Sequence, residues 1–450
     1  MADQPEMMVG RPDDARITEE VLAPLWERTR RGWWWLLAIS GAGVVLLIVT
    51  VTYTLWMGPG VWGTNIPVAW AYPIINFVWW IGIGHAGTFI SAFLVLLNQR
   101  WRSSINRVAE AMTLFALVNA GLFPLLHLGR PWFFYWLLPY PTRFQVWPQY
   151  KSTLPWDVAA VSTYFLVSLL FWYLGLVPDF ATARDRAPTR FRRRVYGVFA
   201  LGWRGAAEQW QRHRITYLLL AGLATPLVIS VHSVVSLDFA IALLPGWHSA
   251  IFPPYFVVGA IFSGLGMVLV LLLPVRAVFK LKDLITDAHL DALAKLILVT
   301  GWMLTYSYVI ESFLAWYSGD LFERYTYLFA RPFGAYAWVY WSMTAVNVLV
   351  PQLFWWKRLR RNPVVLFIAS LLIVLAMWAE RFVIIVTSEY HDFLPSSWHF
   401  YAPTWVDWGI LLGSVGLFVF LFLLFLRFVP AIPLGETKKL RYQLEHEEAR

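Results

Sequence analysis

The chain has 450 residues, 59% hydrophobic and 14% charged, where an ordinary soluble domain has about a quarter charged. Apolar surface on that scale excludes a soluble globule and calls for lipid as part of the solvent. Cysteine is absent, which excludes disulfides, thiolate zinc sites, c-type haem attachment and Cys-ligated iron–sulfur clusters on this chain. The formal charge of +9 falls in short loops, where membrane orientation explains it and nucleic-acid binding does not.

Residues 1–32 are polar and mixed in charge, with Arg28, Arg30 and Arg31 at their end. A cleavable signal peptide would begin its apolar core much sooner, so this segment reads as the cytoplasmic flank of a retained first helix. Ten runs of about 20 mostly apolar residues follow, the length a spanning helix needs. They are 33–55, 73–98, 108–127, 156–177, 215–238, 254–279, 290–316, 335–356, 363–388 and 404–428, before a tail at 429–450. Lipid cannot satisfy exposed backbone N–H and C=O groups, so these runs must be helical. The predicted class is an all-α polytopic membrane protein. Trp33-Trp34-Trp35 and Trp355-Trp356 mark run ends, where amphipathic rings favour the headgroup level.

Alternate loops are basic. Arg100, Arg102 and Arg107 follow the second run, and a cluster from Arg184 to Arg194 follows the fourth. Arg276, Lys280 and Lys282 follow the sixth, Lys357-Arg358-Leu359-Arg360-Arg361 follow the eighth, and Lys438, Lys439 and Arg441 lie in the tail. Loops 56–72, 239–253 and 389–403 contain no Lys or Arg, and loops 128–155 and 317–334 contain few. Both termini are therefore expected in the cytoplasm. One missed or invented span would have broken the alternation. The outer loops are apolar, Pro-rich and aromatic, as in Leu137-Leu138-Pro139-Tyr140-Pro141, which suits a surface covered by another protein.

Ionisable residues inside a membrane are costly and each is a functional candidate. His85 sits mid-membrane in Gly82-Ile83-Gly84-His85-Ala86-Gly87-Thr88, where small neighbours let another helix approach. It reads as a proton relay or quinone contact, or equally as a packing histidine. His127 closes the third run, Asp157 opens the fourth and Asp238 closes the fifth. All three lie at the outer end of consecutive helices. His232 lies about 9 Å deeper than Asp238 at ~1.5 Å per residue, and the two need not face one pocket. Asp157 alone is satisfied by a helix-dipole role. As a set the three suit quinol oxidation, in which two protons must leave with the electrons and a His–carboxylate pair can take them.

The string His127-Leu128-Gly129-Arg130-Pro131, followed by an aromatic run, resembles the signature of the NrfD/polysulfide reductase membrane subunits. The Ser-Val-His-Ser-Val-Val-Ser stretch from Ser230, followed by Asp238, and the Gly-His-Ala-Gly-Thr stretch around His85 are similar to the same family. Ten helices and long apolar outer loops are most like its ActC-type subunits in alternative complex III, with the ActF-type paralogue the nearest neighbour. The resemblance implies two four-helix bundles, here 73–238 and 254–388, flanked by the first and tenth helices. It implies a quinol, menaquinol by expectation, bound in the first bundle near its outer face by His127, Asp157 and Asp238, with His85 and His232 nearby. It implies electron transfer to an outer-side iron–sulfur subunit with [3Fe–4S] and [4Fe–4S] clusters, and beyond it to c-type haem subunits. A paralogous membrane subunit, surrounding lipids, proton translocation and a bacterial cytoplasmic membrane complete that expectation. Arg130 would shape the helix end or meet the partner.

The second half also carries buried charge: Glu311, beside Tyr306 and Tyr308 in the seventh run, and Glu380 and Arg381 in the ninth. These read either as a proton path or as a structural Arg–carboxylate pair, and Asp407 as a first-turn carboxylate of the tenth helix. A b-type cytochrome needs paired histidines on facing helices, and the His spacing here offers no two stacked pairs. A secondary transporter is compatible with His85 and the Gly and Pro in the helices, but the aromatic outer loops argue for a permanent cap. A structural anchor without quinone is the third reading.

Overall fold

The computed structural model describes residues 7–10, 12–137 and 152–448, and the described residues contain helices and no strand. The sequence Leu138–Pro141, expected to form a covered outer loop, lies outside the described residues. The spans are α1 (Arg31–Met57), α2 (Tyr72–Leu96), α3 (Asn106–His127), α4 (Leu154–Arg186), α5 (Ala207–Ala240), α6 (Phe252–Val278), α7 (Asp287–Tyr317), α8 (Ala337–Leu349), α9 (Pro363–Glu389) and α10 (Trp405–Phe428). All but α8 are long and apolar enough to cross a bilayer as single α-helices.

The predicted run 335–356 is a 13-residue α-helix that tightens into a 3₁₀ turn over Val350–Trp355. Pro351 is the reason: it has no N–H to donate to the preceding turn, and its ring crowds that turn. Helices α4 and α5 run further inward than predicted, to Arg186 and from Ala207. Helices of 33 and 34 residues are about 50 Å long at ~1.5 Å per residue, well beyond a ~30 Å hydrocarbon core. Their charged inner ends therefore stand in water.

Every basic loop lies on one side. The amphipathic helix Asp14–Trp26 packs on the tail helix Leu434–Glu448. Arg441 pairs with Asp14 at 3.3 Å, and Arg16 reaches Asp283 in the loop after α6 at 3.4 Å. Arg427 at the end of α10 donates to the carbonyls of Pro24 and Glu27 at 2.6 and 2.9 Å. Even-numbered spans returning to one face, with the positive loops on it, give the inner side.

Helix α2 is the axis of the molecule and contacts α3, α5 and α6. Lipid tails are as apolar as leucine, so close packing has to hold helices together. A Cβ on Gly87 would stand 2.0 Å from the Ala109 carbonyl oxygen, and one on Gly264 would stand 2.0 Å from the Ala86 Cβ. The glycines around His85 thus let α2 touch α3 and α6 backbone to backbone. Helix α4 packs on α5; α9 packs on α6 and α8; α1 and α10 pack on each other along one flank. Asp407 is the N3 residue of a capping box at the start of α10, accepting from the Thr404 N–H and also from the Gly63 N–H, both at 2.9 Å. It anchors the first outer loop to α10, a larger structural role than a first-turn carboxylate alone.

Candidate functional site

At the outer end, Asp157 lies in the first turn of α4 and Asp238 in the last turn of α5. Their carboxyl groups interact across the two helices. The Thr153 hydroxyl, from the N-cap of α4, donates to Asp238. Asp157 is 8% exposed and its Oδ1 has no hydrogen-bond partner. Because the two residues end neighbouring antiparallel helices, 81 positions apart in sequence, only packing brings them together.

His127 shares that end but not that contact. Its ring lies against Trp62 at 6.0 Å and Trp70 at 5.8 Å between centroids. Trp70 packs edge-on against Phe239, next to Asp238, at 5.9 Å and against Trp247 at 5.7 Å. The first outer loop therefore folds in between His127 and the carboxyl pair, so two of the three expected groups meet directly and the third joins through an aromatic cluster. Glu389, at the end of α9 and 3% exposed, accepts the Trp70 N–H at 2.9 Å. Sequence reasoning passed over Glu389 because it falls one residue beyond the predicted ninth run. Arg130 is exposed at the end of α3.

Deeper in the membrane, His85 and His232 meet with ring centroids 4.8 Å apart, both fully buried. The His85 Nδ1 is 2.5 Å from the Ile81 carbonyl oxygen. A carbonyl only accepts, so Nδ1 carries the proton and Nε2 keeps a lone pair. That Nε2 and both nitrogens of His232 have no partner. Tyr164 stacks on His85 at 4.7 Å. As the helical spacing implied, His232 and Asp238 face different surroundings.

Phe256 separates His232 from Arg381, packing 5.9 Å from the imidazole and 4.3 Å from the guanidinium. Arg381 pairs with Glu380 at 3.2 Å. Tyr308 donates to Glu380, and Asn347 donates to the Tyr308 hydroxyl oxygen at 2.9 Å. Glu311 accepts from Tyr327 at 3.2 Å, with the Arg331 guanidinium 4.0 Å over the Tyr327 ring. Tyr306 does not belong: it is 63% exposed on the outward side of α7. At about 100° per residue, Tyr306 and Tyr308 point in opposite senses, and only Tyr308 faces the charges.

The inner end holds a further group. Arg107, counted in sequence as a loop charge, is 2% exposed and pairs with Asp179 at 2.8 Å. Glu110 accepts from Ser91 at 2.5 Å and from Tyr217 at 3.2 Å. Glu110 lies inside the predicted third run, and a carboxylate within a run was signal enough. Among the described residues no group of three or more His, Asp or Glu is placed to hold a metal ion.

Curated relatives of this chain are oxidoreductase subunits, two of them membrane subunits by name. A Halobacterium salinarum protein, provisionally named as a membrane subunit of dimethyl sulfoxide reductase, is 25% identical over 89% of this chain and 91% of its own length. A selenate reductase subunit of Mesobacillus selenatarsenatis is 22% identical, over 80% of this chain and 86% of its own. An Hdr-like menaquinol oxidoreductase integral membrane subunit of Archaeoglobus fulgidus is 22% identical, over 88% of this chain and 95% of its own. The model of the family described as polysulphide reductase, NrfD, matches residues 60–391, which is most of the membrane-spanning region, and the chain belongs to that family.

Proposed function

We propose that this chain is the quinol-binding and quinol-oxidising membrane subunit of a multi-subunit electron-transfer complex of the alternative complex III type. The observation that carries the reading is the Asp157–Asp238 carboxyl pair at the outer end, with Asp157 buried, Asp238 half-buried and one Asp157 oxygen unpartnered. Oxidation of a quinol to a quinone releases two electrons and two protons. The carboxyl pair takes the proton of one ring hydroxyl and His127 takes the proton of the other, with the packed rings of Trp70 and Phe239 forming a wall of the site between them. Helices α2–α5 form the quinol-binding bundle and α6–α9 the second. The Archaeoglobus fulgidus relative, by its name, belongs to a menaquinol oxidoreductase, which favours menaquinol.

Electrons leave on the outer side to an iron–sulfur subunit, and onward to c-type haem subunits. The exposed aromatic side chains there, Trp132, Phe134, Trp398 and Phe400, suit a permanent protein cover. A paralogous membrane subunit fits the same kind of complex. His85 and His232, then Arg381, Glu380 and Glu311, are the proposed proton path from the first bundle toward the second.

The test is quinol:acceptor turnover of the intact complex carrying Asp157→Asn, with assembly measured in parallel. Assembly retained with turnover lost supports the site. Assembly retained with turnover unchanged leaves Asp157 a helix-end carboxylate and favours the anchor reading.

A further inference from the structure

A cavity of about 580 Å³ opens at the inner end of the first bundle, far from the outer carboxyl pair. That volume is within the ~300–1,000 Å³ of small-ligand sites. Its lining is strongly cationic. Arg100, Arg102, Arg107, Arg214 and Lys439 contribute to it, against Asp179 and Glu436. Both carboxylates are already engaged, Asp179 by Arg107 at 2.8 Å and Glu436 by Arg102 at 2.5 Å. The wall therefore keeps a net positive charge.

Two buried donors in that wall have nothing to bind. Arg102 is 9% exposed and Arg107 is 2% exposed, yet Arg102 Nη1 and Arg107 Nε lack partners. Buried guanidinium N–H groups are costly to leave unmade. The cavity also has an amphipathic mouth. Leu218, 38% exposed on α5, and half-buried Val95 on α2 stand on its membrane side. Exposed Arg214 and Lys439 stand on its aqueous side, the latter on the tail helix that closes the cavity from the cytoplasm. A free anion needs only the charged half. An acyl-bearing anion uses both.

We infer that this cavity binds the phosphate headgroup of an anionic phospholipid from the inner leaflet, with the acyl chains leaving past Val95 and Leu218. Basic pockets between spanning helices on the cytoplasmic side are suited to such headgroups. The phosphate oxygens accept from Arg102 and Arg107 within the wall, while Arg214 and Lys439 close over it. This site also explains why the tail helix is tied down by Glu436: it forms the cavity's cytoplasmic wall.

The experiment uses the full chain purified in a neutral detergent. Native mass spectrometry reads retained lipid, and thermal unfolding reads stabilisation, with phosphatidylglycerol, phosphatidylcholine or inorganic phosphate added. Phosphatidylglycerol is expected to be retained and to raise the unfolding midpoint, and the other two are expected to do neither. The double variant Arg214→Gln/Lys439→Gln changes only exposed rim positions. It is expected to fold and to lose retention by about thirtyfold, from two basic residues acting near an anionic surface. Equal retention of phosphatidylcholine, or retention unchanged in the folded double variant, overturns the site. Equal stabilisation by inorganic phosphate overturns the lipid assignment.

Discussion

Two buried clusters, one in each half of the molecule, handle polarity differently. In the first, His85 and His232 meet at mid-membrane with three of their four ring nitrogens unbonded. In the second, Glu380 is engaged by Arg381, Tyr308 and Asn347, and Glu311 by Tyr327. Neutral imidazoles can remain unbonded in a dry interior at modest cost, whereas a lone charge cannot. Charge in a span therefore does not by itself mark the working site. Pairing holds helices in place, whether or not the same groups also pass a proton.

The largest effect expected from this contrast is at the outer carboxyl pair. Asp157→Asn and Asp238→Asn should each lower quinol oxidation by about 10²–10⁴-fold, the usual contribution of a positioned acid–base group, with the complex still assembled. Equal turnover in both variants and the parent would erase the distinction between the halves. Next comes Arg381→Met, which leaves Glu380 buried without its cation. It should destabilise the chain by about 3–5 kcal/mol, read as a lower unfolding midpoint and poorer assembly. Adding Glu380→Gln should recover most of that loss, because it removes the charge left unpaired. If turnover instead falls while stability holds, the second half is working chemistry as well.

His232→Phe separates the halves more finely. Phenylalanine fills a similar space beside Phe256, so the fold should survive, while turnover should fall by about tenfold or more if a proton passes here. An unchanged rate in a folded protein would make the histidine pair packing alone. Smallest of all is Thr404→Ala, which removes the N-cap of α10 and should cost about 1 kcal/mol, visible in thermal unfolding and silent in turnover.

Much of this was legible from the residues. Nine of the ten runs became single spanning helices, because the length of an apolar run and the absence of backbone partners in lipid leave one solution. The remaining run, the eighth, tightened at Pro351. The outer level of His127, Asp157 and Asp238 followed from loop charge and run ends. Glu389 and Glu110 were missed for different reasons: one lay just past a run, the other inside a run and unweighed.

Helical class, span number and which loops share a face follow from the residues alone, since these depend on composition along one dimension. Which polar groups meet was settled only by packing in three dimensions. Packing joined Asp157 to Asp238, put the Trp70 loop between them and His127, turned Tyr306 outward, and buried Arg107 against Asp179. Those pairings depend on the rotation of each helix about its axis. That rotation is set by where glycines such as Gly87 and Gly264 let backbones touch, a property of facing helices rather than of any single run.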